Sequence, residues 1–373
     1  MRFTINREEF LKGLMIANRA VGNKVANAVL TNLKIELDEN GLFITGSNSD
    51  LTIKTLVPFK SNGVEIIRNY KEGAILLNAK FITEIARKLE AEEITLDVVD
   101  STIATITSGH SDYKLNCIRA EEYPNIDLDP SGTSLVLSKE EFDTLVSQTA
   151  FAASIKEQRP VLTAINLEAL NGVLTATATD SARMARKELV IPNDVHFVAN
   201  VPAKMMVEVD RLLEGVEQVI VSFSDKKALF SLGRTIIASR LIAADYPNTK
   251  NIVPRTINYT LEVNSADLLK AIDRVNILSV ERENVVDLTM SEDGVTVSAK
   301  SQQMGSAVER IEMFKFIGSP LKVSFNSEFI SSAVKALNSE DVTFAFVGEM
   351  KPFVIKNTSD GSVIQIVTPV RTY

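Results

Sequence analysis

ILLNAKFITEIARKLEAEEITLDVV, residues 75–99, reads as a short strand, an amphipathic helix and a second strand. Phe81, Ile82, Ile85 and Leu89 recur at helical spacing, which predicts one apolar stripe. Ile94, Leu96 and Val98 then alternate with Thr95 and Asp97, the period of a strand with one buried face. The same unit returns as FVANVPAKMMVEVDRLLEGVEQVIVSF, ending at Phe223, and as LKVSFNSEFISSAVKALNSEDVTFAF, ending at Phe346. Phe81, Met205 and Phe329 are equivalent at successive offsets of 124 residues, as are Leu89, Leu213 and Leu337. Self-similarity at a fixed period is the mark of a repeat architecture, here with three copies.

One column within the repeat is basic. Arg87, Arg211 and Lys335 keep the 124-residue spacing. At about 100° per residue this position falls roughly opposite the apolar stripe. Lys80 and Lys204 flank it in two copies, and Glu328 breaks the pattern in the third. Such a column is either an ordinary solvated face or a surface for an anionic partner.

The three copies run over residues 1–128, 129–254 and 255–373. Each opens on a strand and a helix: FTINREEFLKGLMIANRAV, LVLSKEEFDTLVSQTAFAA and YTLEVNSADLLKAIDRVNIL. Phe10, Leu14, Ala17 and Val21 form the buried stripe of the first, with Lys12 and Arg19 on the far side; Phe142 and Leu268 take the place of Phe10, and Lys270 that of Lys12. Asn40-Gly41, Asn171-Gly172 and Asp293-Gly294 are hairpin signals between alternating runs. Tyr123-Pro124-Asn125 and Tyr246-Pro247-Asn248 match at an offset of 123 residues. Each copy is therefore an α+β module of two helices on antiparallel sheet. Three in a row predict an arc or ring in which each module covers the edge of the next, and a two-fold head-to-tail dimer would close six modules.

The 373 residues carry a net charge of −8, which argues against nucleic-acid binding by the whole surface but leaves room for a basic patch. A single cysteine, Cys117, excludes an internal disulfide and reads as a buried thiol. Arg2, Asn6 and Arg7 interrupt any early apolar run, and no stretch approaches the ~20 apolar residues of a membrane span, so a soluble cytoplasmic protein is expected. No metal-ligand cluster, phosphate-binding glycine loop or nucleophile–base pair is legible, so no catalytic residue, metal or cofactor is expected. His110 and His196 lie in different copies, and Ser181, beside Asp180, has no partner base.

ATATDSARMA (176–185), RPVL (159–162), ADYPNT (244–249), MKPF (350–353) and the terminal TPVRTY give the chain a specific likeness along its whole length. It resembles the β subunits of bacterial DNA polymerase III, the sliding-clamp family. The resemblance implies a head-to-tail homodimer forming a ring of six modules, with helices around the hole and sheet outside. It implies a non-catalytic role: encircling duplex DNA and conferring processivity on the polymerase in DNA replication. The basic column would then face DNA, with Lys24 as a loop contact and Lys12, Arg19, Lys80, Lys156, Lys204 and Lys270 beside Arg87, Arg211 and Lys335. Such contacts read phosphate and no sequence.

The likeness also implies a pocket for short linear motifs of the polymerase III alpha subunit, the clamp loader and other clients. Its wall maps to Leu162, Thr179, Ser181, Arg183, Met184, Pro247, Ile366, Val367, Pro369, Val370 and Arg371. The dimer seam maps to Tyr113 in the first module and Ile277 and Leu278 in the third. Ala182 stands where the family commonly has His before the pocket arginine, which implies altered peptide selectivity. Asn27-Ala28-Val29-Leu30 replaces the family's Leu-Pro-Ile-Leu run, which implies a looser loop near Lys24.

Overall fold

The computed structural model describes residues 1–22, 27–99, 102–192, 194–279 and 284–371. Lys24 lies outside them. The chain divides into two compact units. Met1–Lys139 and Glu208–Leu241 form the first, and Glu140–Val207 and Ile242–Tyr373 the second.

Six α-helices occur among the described residues: α1 (Arg7–Asn18), α2 (Ala79–Lys88), α3 (Lys139–Ser147), α4 (Ala203–Asp210), α5 (Ser265–Asn276) and α6 (Ser327–Leu337). Strand gives way to helix at an asparagine in four of them. Asn6, Asn78, Asn264 and Asn326 each accept first-turn backbone N–H groups on their side-chain oxygens. These are the N–H groups that a helix leaves without intrahelical partners.

In the first unit a nine-stranded antiparallel sheet runs Ile118–Arg119, Gly73–Asn78, Asn32–Asp38, Gly41–Ser47, Leu51–Val57, Thr235–Arg240, Lys227–Leu232, Gln218–Phe223, Thr133–Ser138. The centre of that sheet joins the first repeat to the second, because Leu51–Val57 pairs with Thr235–Arg240, Leu51 opposite Ser239. A five-stranded sheet with Ser111–Asn116 at one edge and a two-stranded ribbon of Lys60–Ser61 and Val64–Glu65 complete the unit. The second unit repeats the plan. Its nine-stranded sheet pairs Arg183–Val190 with Val363–Val367, Met184 opposite Ile366, and a four-stranded sheet has Gly305–Ile311 at its edge.

Each unit has its own core. In the first, α1 and α2 pack on one another, and Phe10, Leu14 and Ala17 are wholly buried with Phe3, Ile44 and Ile82. In the second, α5 and α6 pack over Phe325, Phe344, Phe346 and Phe353, whose rings contact one another. Full burial of each such side chain is worth roughly 1.5–3 kcal/mol. Cys117 is buried against the first core, and burial pushes its thiol up.

Two local expectations shift. Phe81, expected on the buried stripe of α2, is 58% exposed. The buried face is instead Ala79, Ile82, Thr83 and Ala86, followed by Leu89, with Ile85 at its margin. On α2, Lys80, Phe81, Arg87 and Lys88 are exposed, and Glu84 is half-buried one turn before Arg87. The Asn-Gly signal builds a two-residue turn of left-handed residues only at Asn171-Gly172, φ 53° and 72°. At Asn40-Gly41 the turn is Glu39-Asn40, and Gly41, φ 140°, begins the next strand, where a Cβ would lie 2.6 Å from the Val57 carbonyl oxygen. Asp293-Gly294 behaves alike, with Ser291 paired to Gly294.

Candidate functional site

A single turn shapes the wall of an apolar cavity in the second unit. The Asp180 carboxylate Oδ1 accepts the backbone N–H groups of Ala182 and Arg183, both at 2.9 Å. Thr179 donates its hydroxyl to the Arg183 carbonyl at 2.6 Å and accepts the Ser181 N–H at 3.1 Å. These bonds hold Ser181 at φ 79°, a left-handed conformation that costs a non-glycine residue about 1–2 kcal/mol. The chain then enters the strand Arg183–Val190, whose period-two alternation sends Met184 into the cavity floor beside Ile366.

The other walls are positioned as firmly. Pro160 opens a 3-10 turn, Pro160–Thr163, that carries buried Leu162. Buried Asn200 donates its amide to the Ala244 carbonyl at 2.6 Å and accepts from Asn166 at 2.9 Å, pinning the segment that leads to Pro247. Burial raises the phenol of neighbouring Tyr246, as it does that of its repeat counterpart Tyr123. The cavity holds about 620 Å³, and its lining includes no carboxylate. An apolar cleft of this size with a few oriented polar groups suits a small apolar anchor.

Arg183 is clamped at the wall. Its Nε donates to Asp180 Oδ2 at 3.0 Å, and its guanidinium carbon sits 4.4 Å from the Phe329 ring centroid and 5.5 Å from that of Phe151. Asp180 is thus a structural acceptor and an ion-pair partner, and among the described residues no histidine lines the cavity beside Ser181.

Leu162, Thr179, Ser181, Arg183, Met184, Pro247 and Ile366 come together around this cavity. Val367 faces the other way, into the core of the second unit, as alternation along its strand requires. Pro369 is buried and Val370, half-buried, donates its N–H to the Ser324 carbonyl; neither they nor exposed Arg371 line the cavity. Arg159, Ile242, Thr249, Ile252 and Thr368, not among the mapped wall residues, also line it, as does Ala182, expected beside the pocket arginine. Thr368 was accessible from alternation, since it lies two positions beyond Ile366.

Lys12, Arg19, Lys80, Arg87, Lys156, Lys204, Arg211, Lys270 and Lys335 are all exposed. In the first unit three of them are ion-paired. Arg87 donates to Glu84 one helical turn before it. Arg211 donates to Glu208 Oε1 at 2.6 Å, and Arg19 to the other oxygen of the same carboxylate at 3.1 Å. Tyr113 is exposed on the edge strand Ser111–Asn116. Ile277, after α5, is 75% exposed, while Leu278 packs on the core of the second unit.

Three family models match consecutively: the DNA polymerase III beta subunit N-terminal domain over residues 1–127, the central domain over 136–248 and the C-terminal domain over 250–371. The chain is 34% identical over 380 residues to the beta sliding clamp of Halalkalibacterium halodurans and 31% identical over 378 residues to that of Bacillus subtilis, each covering both chains fully. Its structure superposes on that of the Bacillus subtilis DNA polymerase sliding clamp with a TM-score of 0.95 at 30% identity, again over the whole of both chains. The chain therefore belongs to the DNA polymerase III beta subunit family, the beta sliding clamps.

Proposed function

We propose that the chain is a DNA sliding clamp of the replication machinery, an accessory processivity factor and not an enzyme. The observation that carries this reading is the match of all three beta-subunit domains, in order, along the chain. In this reading three modules, 1–128, 129–254 and 255–373, pair head to tail with a second copy and encircle duplex DNA in the bacterial cytoplasm. Edge strands Ser111–Asn116 and Gly305–Ile311, unpaired on one side among the described residues, supply the main-chain groups for that seam, and Tyr113 and Ile277 supply apolar contact.

Arg87, Arg211 and Lys335, with Lys12, Arg19, Lys80, Lys156, Lys204 and Lys270, face the DNA. They hold phosphate by charge, so binding is independent of sequence and compatible with sliding. The cavity around Met184 and Ile366 takes an apolar anchor from the polymerase III alpha subunit, the clamp loader and other clients.

Replacing Arg87, Arg211 and Lys335 together by glutamate tests this reading. Loading on circular DNA and stimulation of the polymerase fall to background in the triple variant, whereas full activity would contradict DNA contact by this column. Solution mass gives a second test: a dimer is expected at micromolar concentration, and a strict monomer contradicts the ring.

A further inference from the structure

The repeat that carries the basic column carries a second column three residues before it. Glu84 and Glu208 stand 124 residues apart, and each ion-pairs with the arginine one turn on, Arg87 or Arg211. Glu208 is only 14% exposed and binds two cations, one on each oxygen, because Arg19, just after α1, also donates to it. The third repeat has Ser332 in this place, and Lys335 has no carboxylate partner among the described residues. Glu84 is not on the buried face of α2, which is Ala79, Ile82, Thr83 and Ala86. A carboxylate there disfavours contact with a polyanion unless weak contact is itself useful.

We propose that Glu84 and Glu208 are positioning residues that hold Arg19, Arg87 and Arg211 as internal ion pairs and thereby set how strongly this face grips DNA. The proposal rests on the reading that the column faces DNA. A phosphate must compete with a tethered carboxylate for each arginine. Ion pairs whose arginine stays open to solvent are worth about 1 kcal/mol or less, so the competition weakens each contact several-fold without abolishing it. A grip of that strength lets the protein track along a duplex. Lys335, without such a carboxylate, is then the tightest contact of the column.

The experiment measures binding of a fluorescein-labelled 30-bp duplex (length chosen as about three helical turns) by full-length protein across a salt series. Glu84→Gln with Glu208→Gln is expected to tighten binding about tenfold at low salt and to steepen the plot of log K against log salt by roughly 0.9 for each phosphate newly engaged. Glu90→Gln with Glu214→Gln removes the same charge from exposed residues of the same unit and serves as the control. It is expected to leave the slope unchanged. Ser332→Glu places the missing carboxylate before Lys335 and is expected to weaken binding and flatten the slope. Unchanged affinity and slope in the Glu84/Glu208 variant, or equal changes in the control, overturn the proposal and leave DNA contact standing. No salt-dependent duplex binding by the unmodified protein overturns both.

Discussion

Two turns of the molecule share one main-chain frame and end in different chemistry. Ser47–Leu51 in the first unit repeats Thr179–Arg183 in the second bond for bond. Asn48 Oδ1 accepts the N–H groups of Asp50 and Leu51, as Asp180 Oδ1 accepts those of Ala182 and Arg183. Ser49 at φ 81° matches Ser181 at 79°. Arg240 donates its N–H to the Asp50 carbonyl at 2.9 Å, and Thr368 donates to that of Ala182 at 2.9 Å. What differs is what projects from the frame. Asp50 and Arg240 bring their charged groups to 4.0 Å, and Thr52 and Ala238 lie opposite one another behind them. In the second unit short Ala182 and Thr368 open the space, and Met184 and Ile366 floor it. The backbone repeat supplies the position, and four side chains decide that one copy presents an apolar cavity.

Moving the charged pair should have the largest effect. Ala182→Asp with Thr368→Arg is expected to weaken binding of a fluorescein-labelled hexapeptide with two large apolar residues at its C-terminus by about 100-fold, since it places charge at the mouth of an apolar cavity. The reverse pair, Asp50→Ala with Arg240→Thr, should create no binding, because Thr52 and Ala238 offer no apolar floor; new binding there would break the comparison. Next come the shared frames. Ser49→Val and Ser181→Val each put a β-branched residue at positive φ and are expected to cost about 1–2 kcal/mol in urea denaturation. Equal losses support a common frame, and a loss at only one site refutes it.

Smaller effects separate the copies further. Phe329→Leu removes the aromatic face over Arg183 and should cost about 0.5–1 kcal/mol of stability, while Phe329→Trp should keep it. Leu51, buried and apolar, has no such requirement. The weakest is a pH effect. The Ser362 hydroxyl, with Lys187, holds the Asp360 carboxyl below its usual 3.8. The folded state therefore favours the carboxylate, and its contribution is present above that value and lost as pH falls through the depressed one. Asp360→Asn should flatten acid denaturation in that window by about 0.5 kcal/mol or less, because Asp360 is more than a third exposed.

The repeat was legible because equal spacing in sequence reports equal structure: the three-copy α+β plan follows from columns such as Leu89, Leu213 and Leu337. The duplicated turn was not, since Asn48 and Asp180 do one job with different side chains. Phe81 misled because apolar character at helical spacing does not fix the phase of the buried face, and the small Ala79, Thr83 and Ala86 pulled that face away from it. The cavity was legible only through family likeness, and its true lining followed strand alternation, which admits Ile366 and Thr368 and turns Val367 inward. Glu84 and Glu208 share the repeat offset, but Glu84 is outnumbered on α2 by Lys80, Arg87 and Lys88, which mask the acidic column.

Retention on topologically closed DNA tests the central claim most directly. Protein loaded on a nicked circle and then isolated by gel filtration should stay with the DNA and be lost once a restriction enzyme linearises the circle. Equal retention on circular and linear DNA would contradict encirclement and, with it, the account given for this chain.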